Sequence, residues 1–391
     1  MIRVGVVGAS GWASGTHLPA LVRLPQFRVT AVATTNRASA ERVAAEHGVS
    51  HALTDAAALA AHPEVDLVVV SVKAPAHAEV ITAALEHGKH VVSEWPLGVD
   101  VDQARELAAA ADAAGVRHAV VLQGHHSPDA RFVADLLADG RIGRLEAAVM
   151  VADGDPFGGA TIPAELAWTL DPAGGTSILP IMAGHFLATL ERIAGPLTEV
   201  SARLPGAGEP VRIAGTTEDV VNRNPRHVLL QGRLAGGAET SVAVLGGDRP
   251  SRVGFSIRLV GTGGTLAIAP RRRGEYLHWT DWDIDLDGEA VAVPDAYRTA
   301  PPGIPPGPAT RIAALYQEFA RALAEQRRPR PDFADAVRQH AVLAAIRRSA
   351  ASGTLERIAV DWIRGRPTGE QRSSVVPGGA PSSAPGPVRG G

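Results

Sequence analysis

The residue types in this sequence restrict the chemistry that it can perform. No cysteine occurs among the 391 residues, which excludes disulfides, thiolate metal sites and a cysteine nucleophile. Lysine occurs only at Lys73 and Lys89, so a catalytic lysine has two possible positions. Histidine is the other natural proton carrier, because its unperturbed pKa of about 6.5 lies near neutral pH.

A glycine-rich turn after the first apolar run is suited to hold a phosphate group. Gly8, Gly11 and Gly15 lie between the apolar run 4–7 and a helical pattern that begins at His17. Glycines let backbone N–H groups approach a pyrophosphate, and a helix N-terminus adds partial positive charge. The spacing departs from G-x-G-x-x-G, so an ordinary strand-to-helix turn is the alternative. The strand–helix units that follow favour dinucleotide binding.

The end of the second predicted strand indicates which dinucleotide is bound. An acidic residue there would bind the 2'-hydroxyl of NAD. The sequence instead has Thr34, Thr35, Asn36 and Arg37, whose hydroxyl, amide and guanidinium groups suit a 2'-phosphate. We therefore expect NADP to be preferred over NAD, with a solvated Arg37 ahead of a helix as the alternative.

Strands alternate with helices through the first 122 residues. This order predicts a doubly wound, parallel Rossmann sheet, and ligands of such sheets bind beyond the carboxyl ends of the strands. The predicted strands are the run 4–7 and segments 27–33, 66–72, 89–92 and 118–122, and the predicted helices include 38–47, 76–87 and 101–114. The segments that should meet in one crevice are 8–15, 34–37, 71–77, 93–96 and 123–128.

The pattern changes after residue 128. Segments 226–234, 239–245 and 255–260 alternate in polarity and are joined by glycine turns, which is typical of antiparallel strands. The sequence as a whole therefore predicts an α/β protein with a second, α+β domain that has a largely antiparallel open sheet. We expect domains at 1–124 and 125–365, followed by a disordered tail over 366–391 that is rich in glycine, proline and serine.

The composition argues against nucleic acid and membrane as partners. Apolar residues make up 45% of the chain and the formal net charge is −3, which gives no general attraction to phosphate backbones or anionic lipids. The N-terminus has no signal-peptide pattern, and we expect no apolar stretch near the ~20 residues that span a bilayer. We therefore expect a cytoplasmic protein.

Several segments resemble, in order, the glucose-fructose oxidoreductase, inositol dehydrogenase and MocA family of nicotinamide-dependent sugar oxidoreductases. They include the first glycine turn, His77, the run 88–97, the pair Gly184-His185 and the turn 260–264. The resemblance implies hydride transfer between nicotinamide and a carbinol or ketone of a sugar, cyclitol or related small metabolite. It also implies a homo-oligomer that forms through the open face of the second sheet.

Within this family the chain is most similar to the branch that contains the fungal galactose-regulon repressor. Gly11-Trp12-Ala13, Thr16-His17 and Glu94-Trp95 carry this similarity. The alternative function is therefore a catalytically silent regulator that binds a dinucleotide.

The catalytic positions of the family are only partly kept. Family enzymes typically carry Glu-Lys-Pro where this chain has Glu94-Trp95-Pro96. His185 matches the catalytic histidine, and the resemblance implies that it is the acid/base; a helix histidine satisfied by backbone is the alternative. Lys73 is a second catalytic candidate if its pKa of about 10.4 is lowered; otherwise it is a cation near the cofactor phosphates or is paired with Glu94.

The other expected site residues follow from the crevice and the resemblance. Trp95 is expected to stack on the nicotinamide or on a sugar face, and we expect no metal site. For the histidines at 125 and 126 the alternative is a position on the surface, and for the aspartate at 171 it is the capping of a turn. The expected cofactor-binding residues are Gly8, Ser10, Gly11, Trp12, Thr35, Asn36, Arg37, Ser71, Lys73, His77, Glu94 and Trp95, and the expected substrate-binding residues are Trp95, His125, His126, Asp171 and His185.

Overall fold

A computed structural model describes residues 1–247 and 254–359 of the protein. The first sheet has six strands, β1 Ile2–Val7, β2 Phe27–Ala33, β3 His51–Leu53, β4 Leu67–Val70, β5 His90–Glu94 and β6 His118–Val121. Their order is β3-β2-β1-β4-β5-β6 and every neighbouring pair is parallel. This confirms the predicted parallel sheet, with β3 as an additional strand that is too short to show a pattern.

Helices connect these strands: α1 Trp12–Gly15, α2 His17–Leu21, α3 Arg37–His47, α4 Ala56–Ala61, α5 His77–Glu86 and α6 Val101–Ala113. Short polar side chains set the starts of three of them, since Asn36, Asp55 and Asp100 accept hydrogen bonds from first-turn N–H groups. The strand order reverses at β1, which has β2 on one side and β4 on the other. Ligands of doubly wound sheets bind at this place.

The second sheet has nine strands in the order β17-β16-β15-β14-β7-β13-β12-β9-β18. They are β7 Leu145–Asp153, β9 Leu197–Arg203, β12 His227–Leu234, β13 Glu239–Leu245, β14 Phe255–Gly261, β15 Gly264–Pro270, β16 Trp282–Leu286, β17 Glu289–Val291 and β18 Glu356–Arg357. All neighbouring pairs are antiparallel except β7 with β13. The largely antiparallel sheet is thus confirmed. A smaller sheet joins β8 Thr161–Ile162, β10 Glu209–Ile213 and β11 Asp219–Asn222.

In the described part of the chain after residue 127, four longer helices occur: α7 Pro128–Ala138, α8 Gly184–Ala194, α9 Pro308–Ala324 and α10 Phe333–Ser352. A π-helical turn, Ile178–Ala183, leads directly into α8. Helix α9 returns to the first sheet, because its Ile312, Tyr316 and Phe319 share a hydrophobic core with Val4 and Val6 of β1. The boundary at residue 124 stays a prediction, and the predicted tail 366–391 lies outside the described residues.

One stretch of the described chain, Pro172–Ala194, is long and apolar enough to cross a membrane, with a mean hydropathy of 1.2. The expectation that no apolar stretch approaches the ~20 residues that span a bilayer is therefore wrong. Inside the fold 89% of the apolar window is buried, as in the core helices of globular proteins.

Candidate functional site

A cleft of about 340 Å³ lies beyond the carboxyl ends of β4, β5 and β6. Four of the five segments expected to converge contribute to its lining; segment 34–37 does not. The first part of the chain supplies Trp12, Ser71, His77, Glu94, Trp95 and Gln123, and the later part supplies Asp155, Trp168, His185, Tyr276, His278 and Trp279, among others. The cleft thus brings the predicted strand ends together with His185.

The glycine turn after β1 is tight, and part of its backbone is open to solvent. Gly8 has a φ of 79°, and a Cβ atom there would lie 2.1 Å from the carbonyl oxygen of Ser71, so only glycine fits. Gly11 has a φ of 63°, and a Cβ atom there would meet open space. Ser10 and Gly11 are exposed. The backbone of this turn is therefore accessible to a dinucleotide, and the residues present fit such a group.

Arg37 lies at the carboxyl end of β2, outside the cleft. Its guanidinium Nη1 donates a 2.6 Å hydrogen bond to the carbonyl oxygen of Ala52 in β3, and the side chain is otherwise exposed. The Asn36 side chain caps α3, where its Oδ1 accepts from the N–H of Ser39 at 3.1 Å. Thr35 is exposed. Of these residues, Arg37 presents a fixed positive charge beside the end of β2.

Glu94 is held by two hydrogen bonds to the same oxygen. Its Oε1 accepts from Trp12 Nε1 at 2.8 Å and lies 2.5 Å from His17 Nε2. The other ring nitrogen of His17 lies 2.6 Å from the hydroxyl of Tyr316 in α9, and burial raises the pKa of that hydroxyl well above its usual value, with the charge of Glu94 acting in the same direction. Glu94 is therefore paired with His17, not with Lys73.

Lys73 is exposed and lies at the rim of the cleft. Its Nζ is 5.4 Å from the ring centroid of Trp168, and Trp168 belongs to the lining. A cation at this distance over an indole face forms a weak cation–π contact. Lys89 has a different position, since its Nζ donates to the carbonyl oxygens of His62 and Val65.

Trp95 forms part of the cleft wall and is nearly enclosed. Its peptide bond to Pro96 is cis, and 5% of its surface is exposed. The indole Nε1 donates a 2.7 Å hydrogen bond to the carbonyl oxygen of Pro180. A Cβ atom at Gly184 would lie 2.6 Å from that nitrogen, so glycine at the start of α8 permits the close approach. The ring centroid of His340 is 4.6 Å away on α10.

His185 is the second residue of α8 and lines the cleft. Its ring stacks on His278 with centroids 4.6 Å apart and planes 6° from parallel. Its Nδ1 is enclosed without a hydrogen-bond partner. Burial lowers the pKa of His185 to about 4, and the charge of Glu94 acts in the opposite direction. The pKa of the buried ring thus lies below the unperturbed value of about 6.5, because packing against residues remote in the sequence disfavours the charged ring.

His77 connects two of the segments that line the cleft. Its Nδ1 lies 2.9 Å from the carbonyl oxygen of Pro96, and its Nε2 lies 3.0 Å from that of Val72. Burial lowers the pKa of the ring, while the two carbonyl contacts raise it. The side chain thus ties the end of β4 to the Trp95-Pro96 turn.

Three expected substrate residues are placed away from the cleft. The 3-10 turn Gln123–His126 presents Gln123 to the cleft, while His126 faces a separate cavity of about 280 Å³. His125 is not part of the described lining of either cavity. Asp171 is exposed and caps a turn, where its Oδ1 accepts from the N–H of Ala173 at 3.0 Å. His125, His126 and Asp171 are therefore not among the residues described as lining the cleft with His185.

An aromatic wall between β15 and β16 belongs to the cleft and was not predicted from the sequence. Tyr276, His278 and Trp279 all line the cleft. Trp279 packs on Trp12 with ring centroids 5.5 Å apart, and the Tyr276 hydroxyl donates to the backbone carbonyl of Asp155. The available signal was the cluster of aromatic and histidine residues at 276–279 in a chain with 4% aromatic residues. Four of the six tryptophans in the chain line the cleft, namely Trp12, Trp95, Trp168 and Trp279.

Two segments of the chain each match the model of a known protein family. Residues 2–122 match the oxidoreductase family with an NAD-binding Rossmann fold, and residues 128–270 match the C-terminal domain of Gal80p. Dehydrogenase aclE of Aspergillus oryzae is 32% identical over 51% of this chain and 57% of its own length. The galactose/lactose metabolism regulatory protein GAL80 of Kluyveromyces lactis is 27% identical over 68% of this chain and 63% of its own length.

A further relative and a solved structure extend the comparison. The 1,5-anhydro-D-fructose reductase of Ensifer adhaerens is 35% identical over 46% of this chain and 53% of its own length. The chain thus spans between 53% and 63% of the length of these three relatives. Levoglucosan dehydrogenase in complex with NADH and levoglucosan superimposes with a TM-score of 0.80 at 20% identity, over 92% of this chain and 99% of that chain. This last likeness establishes the fold.

Proposed function

We propose that this chain is an NADP-preferring oxidoreductase. The premise is that it belongs to the glucose-fructose oxidoreductase, inositol dehydrogenase and MocA family of NAD-binding oxidoreductases. It transfers hydride between the nicotinamide and a carbinol or ketone of a sugar, cyclitol or related metabolite. One observation carries the proposal: His185 and Glu94 line the same cleft as the ends of the Rossmann strands.

His185 supplies the proton transfer in this proposal. Because burial lowers its pKa to about 4, the ring is neutral at pH 7 and acts as a base. Its Nδ1 is enclosed, which leaves Nε2 to accept the hydroxyl proton of the substrate. A nicotinamide cofactor held at the turn of Gly8 and Gly11 would supply the hydride acceptor, so that loss of hydride from the adjacent carbon would convert the carbinol into a ketone. The stacked His278 ring holds the His185 ring in one orientation.

The substrate class is proposed from the lining of the cleft. Trp168, Tyr276 and Trp279 present flat apolar surfaces, and Glu94 and Asp155 are the acidic residues of the lining. Flat apolar walls with a few polar groups suit the C–H faces and hydroxyls of a sugar or cyclitol ring. The relative from Ensifer adhaerens is named as a reductase of 1,5-anhydro-D-fructose, which supports this class.

The cofactor preference is proposed from Arg37. Its guanidinium is exposed, and one arm is fixed to the carbonyl oxygen of Ala52, so its charge is available to a 2'-phosphate. The cofactor-binding residues are proposed as Gly8, Ser10, Gly11, Trp12, Thr35, Asn36, Arg37, Ser71, His77, Glu94 and Trp95, with Lys73 as a cation at the rim.

A regulator that binds the dinucleotide without turnover is the second candidate function. The resemblance implies that Trp95 replaces the catalytic lysine of the family, and its indole is bonded to Pro180 and enclosed. The match of residues 128–270 to the Gal80p C-terminal domain favours the same candidate. This function requires a protein partner, whereas the enzyme requires only a small molecule.

A paired assay separates the two functions. The full chain is incubated with NADP⁺ or NAD⁺ and a panel of sugars and cyclitols, and with NADPH or NADH and a panel of keto-sugars. Sustained change in absorbance at 340 nm excludes the silent regulator. Dinucleotide binding, measured by quenching of tryptophan fluorescence, without turnover in either panel contradicts the enzyme.

We also propose a homo-oligomer in the cytoplasm, which a chain without cysteine suits. In the second sheet, Val149 is 44% exposed and Leu229 is 38% exposed, and the strand registers place both on one face. A second copy of the chain would cover this face. Light scattering on the wild type and Val149→Asp tests it: a mass of one chain for the wild type contradicts the proposal.

A further inference from the structure

Away from the cleft, three side chains that can ligate metals meet at the edge of the first sheet. His51 begins β3, His62 follows α4, and Glu64 lies in the loop before β4. One ligand atom from each lies within 4.8 Å of the other two. His51 Nε2 is 2.8 Å from Glu64 Oε2, and the ring centroids of His51 and His62 are 4.2 Å apart. None of the three lines the described cleft.

The loop that carries two of these residues is fixed from both sides. Lys89 Nζ donates to the carbonyl oxygens of His62 at 3.2 Å and Val65 at 2.7 Å. The hydroxyl of Thr30 in β2 donates to the carbonyl oxygen of Glu64 at 2.6 Å. Because side chains from outside the loop hydrogen-bond to three of its backbone carbonyl oxygens, His62 and Glu64 are positioned before any ion binds.

The rings are also oriented and open to solvent. The N–H of Glu64 donates to His62 Nδ1 at 3.2 Å, which sets the orientation of that ring. The side chains of His51 and Glu64 are 35% and 54% exposed. An ion can therefore enter directly from solvent, and water can complete its coordination shell.

We propose that His51, His62 and Glu64 form a binding site for a divalent transition-metal ion. Two imidazoles and one carboxylate are a ligand set that Zn²⁺ and neighbouring first-row ions take up. Mg²⁺ and Ca²⁺ prefer oxygen ligands, so the site discriminates against them. No metal site is expected from the sequence, because residues 51, 62 and 64 show no short ligand motif until the fold brings β3 and the loop side by side.

Isothermal titration of the full chain with Zn²⁺ tests the site. The wild type should bind one Zn²⁺ ion, and Mg²⁺ should give no comparable heat. His51→Ala and His62→Ala should each weaken binding at least about tenfold, since even the loss of an outer-shell partner costs about ten- to hundredfold in metal affinity. Glu64→Gln keeps the shape of the side chain but removes its charge, and should also weaken binding.

His87→Ala is the matched control, because His87 is an exposed histidine at the end of α5 and is not part of the cluster. It should bind Zn²⁺ as the wild type does. Zn²⁺ should also raise the Tm of the wild type and His87→Ala, but not that of His62→Ala. No Zn²⁺ binding by the wild type, or unchanged affinity in both His51→Ala and His62→Ala, overturns the proposal.

Discussion

The indole nitrogen of Trp95 donates a 2.7 Å hydrogen bond to the carbonyl oxygen of Pro180 and so joins the end of β5 to the turn that precedes α8. His185 is the second residue of α8, so this bond links the wall of the cleft to the helix that carries the proposed base. Trp95 is therefore a packing residue as well as part of the cleft wall.

Replacing Trp95 with phenylalanine should destabilise the protein. Trp95→Phe removes the bond to Pro180 and part of a buried ring, and we expect the free energy of unfolding to fall by about 1–3 kcal/mol. Denaturation in urea measures this. Trp12→Phe is the control, because it also loses an indole hydrogen bond but at a residue that is 36% exposed, where about 0.5 kcal/mol is expected. Equal losses in the two variants contradict the prediction.

Much of the first sheet can be predicted from the sequence because buried parallel strands read as continuous apolar runs bounded by glycines and helix caps. Strand β3 has three residues, too few to show a pattern. In the second sheet, the parallel pairing of β7 with β13 depends on a connection of many residues, which periodicity does not reveal.

The candidate site also has a part that the sequence predicts and a part that it does not. Trp12, Ser71, His77, Glu94 and Trp95 line the cleft because the carboxyl ends of parallel strands meet at one edge. The wall formed by residues 276–279 comes from a loop with no periodic pattern. The pKa of His185 also could not be predicted, since it follows from burial against residues such as His278 that are distant in the sequence.

Removing Arg37 should weaken NADP binding. Arg37→Ala loses one charged hydrogen-bond donor, and such a bond contributes about 1.5–3 kcal/mol, which corresponds to a Kd about ten- to hundredfold weaker. The affinity for NAD should change little. Arg42→Ala is the control on the same helix, because Arg42 is exposed and one turn further on. Tighter NAD than NADP binding by the wild type, or an equal loss for both cofactors, contradicts the preference.

Turnover should depend on His185 more than on Lys73. Removing a general acid or base typically lowers the rate about 10²- to 10⁴-fold, and we expect this of His185→Ala. Lys73 is exposed at the rim, so Lys73→Ala should raise the cofactor requirement and spare kcat at saturation. Both are assayed at saturating cofactor. If Lys73→Ala abolishes turnover while His185→Ala retains more than about a tenth of the wild-type kcat, the lysine and not the histidine carries the proton transfer.

Acid should destabilise the fold partly through His340. Burial lowers its folded-state pKa to about 4, below the unfolded value of about 6.5. The unfolded chain therefore takes up a proton first, and stability is lost as the pH falls from about 6.5 to about 4. His340→Phe keeps an aromatic ring beside Trp95 without this titration. Urea denaturation at pH 7 and pH 5 should show a smaller loss for the variant, and an equal loss contradicts the assignment.

The pH dependence of sugar oxidation should report the buried state of His185. With a pKa of about 4, the ring is neutral and able to accept a proton at every pH above about 5, so kcat/KM for oxidation should be flat from pH 8 to pH 5. Below that range it should fall as the ring becomes protonated, whereas ketone reduction, which needs the protonated ring, should rise. Activity recovered on return to pH 7 controls for unfolding. An inflection near pH 6.5 that disappears in His185→Ala means that the ring is solvated in the working complex, and contradicts a buried base.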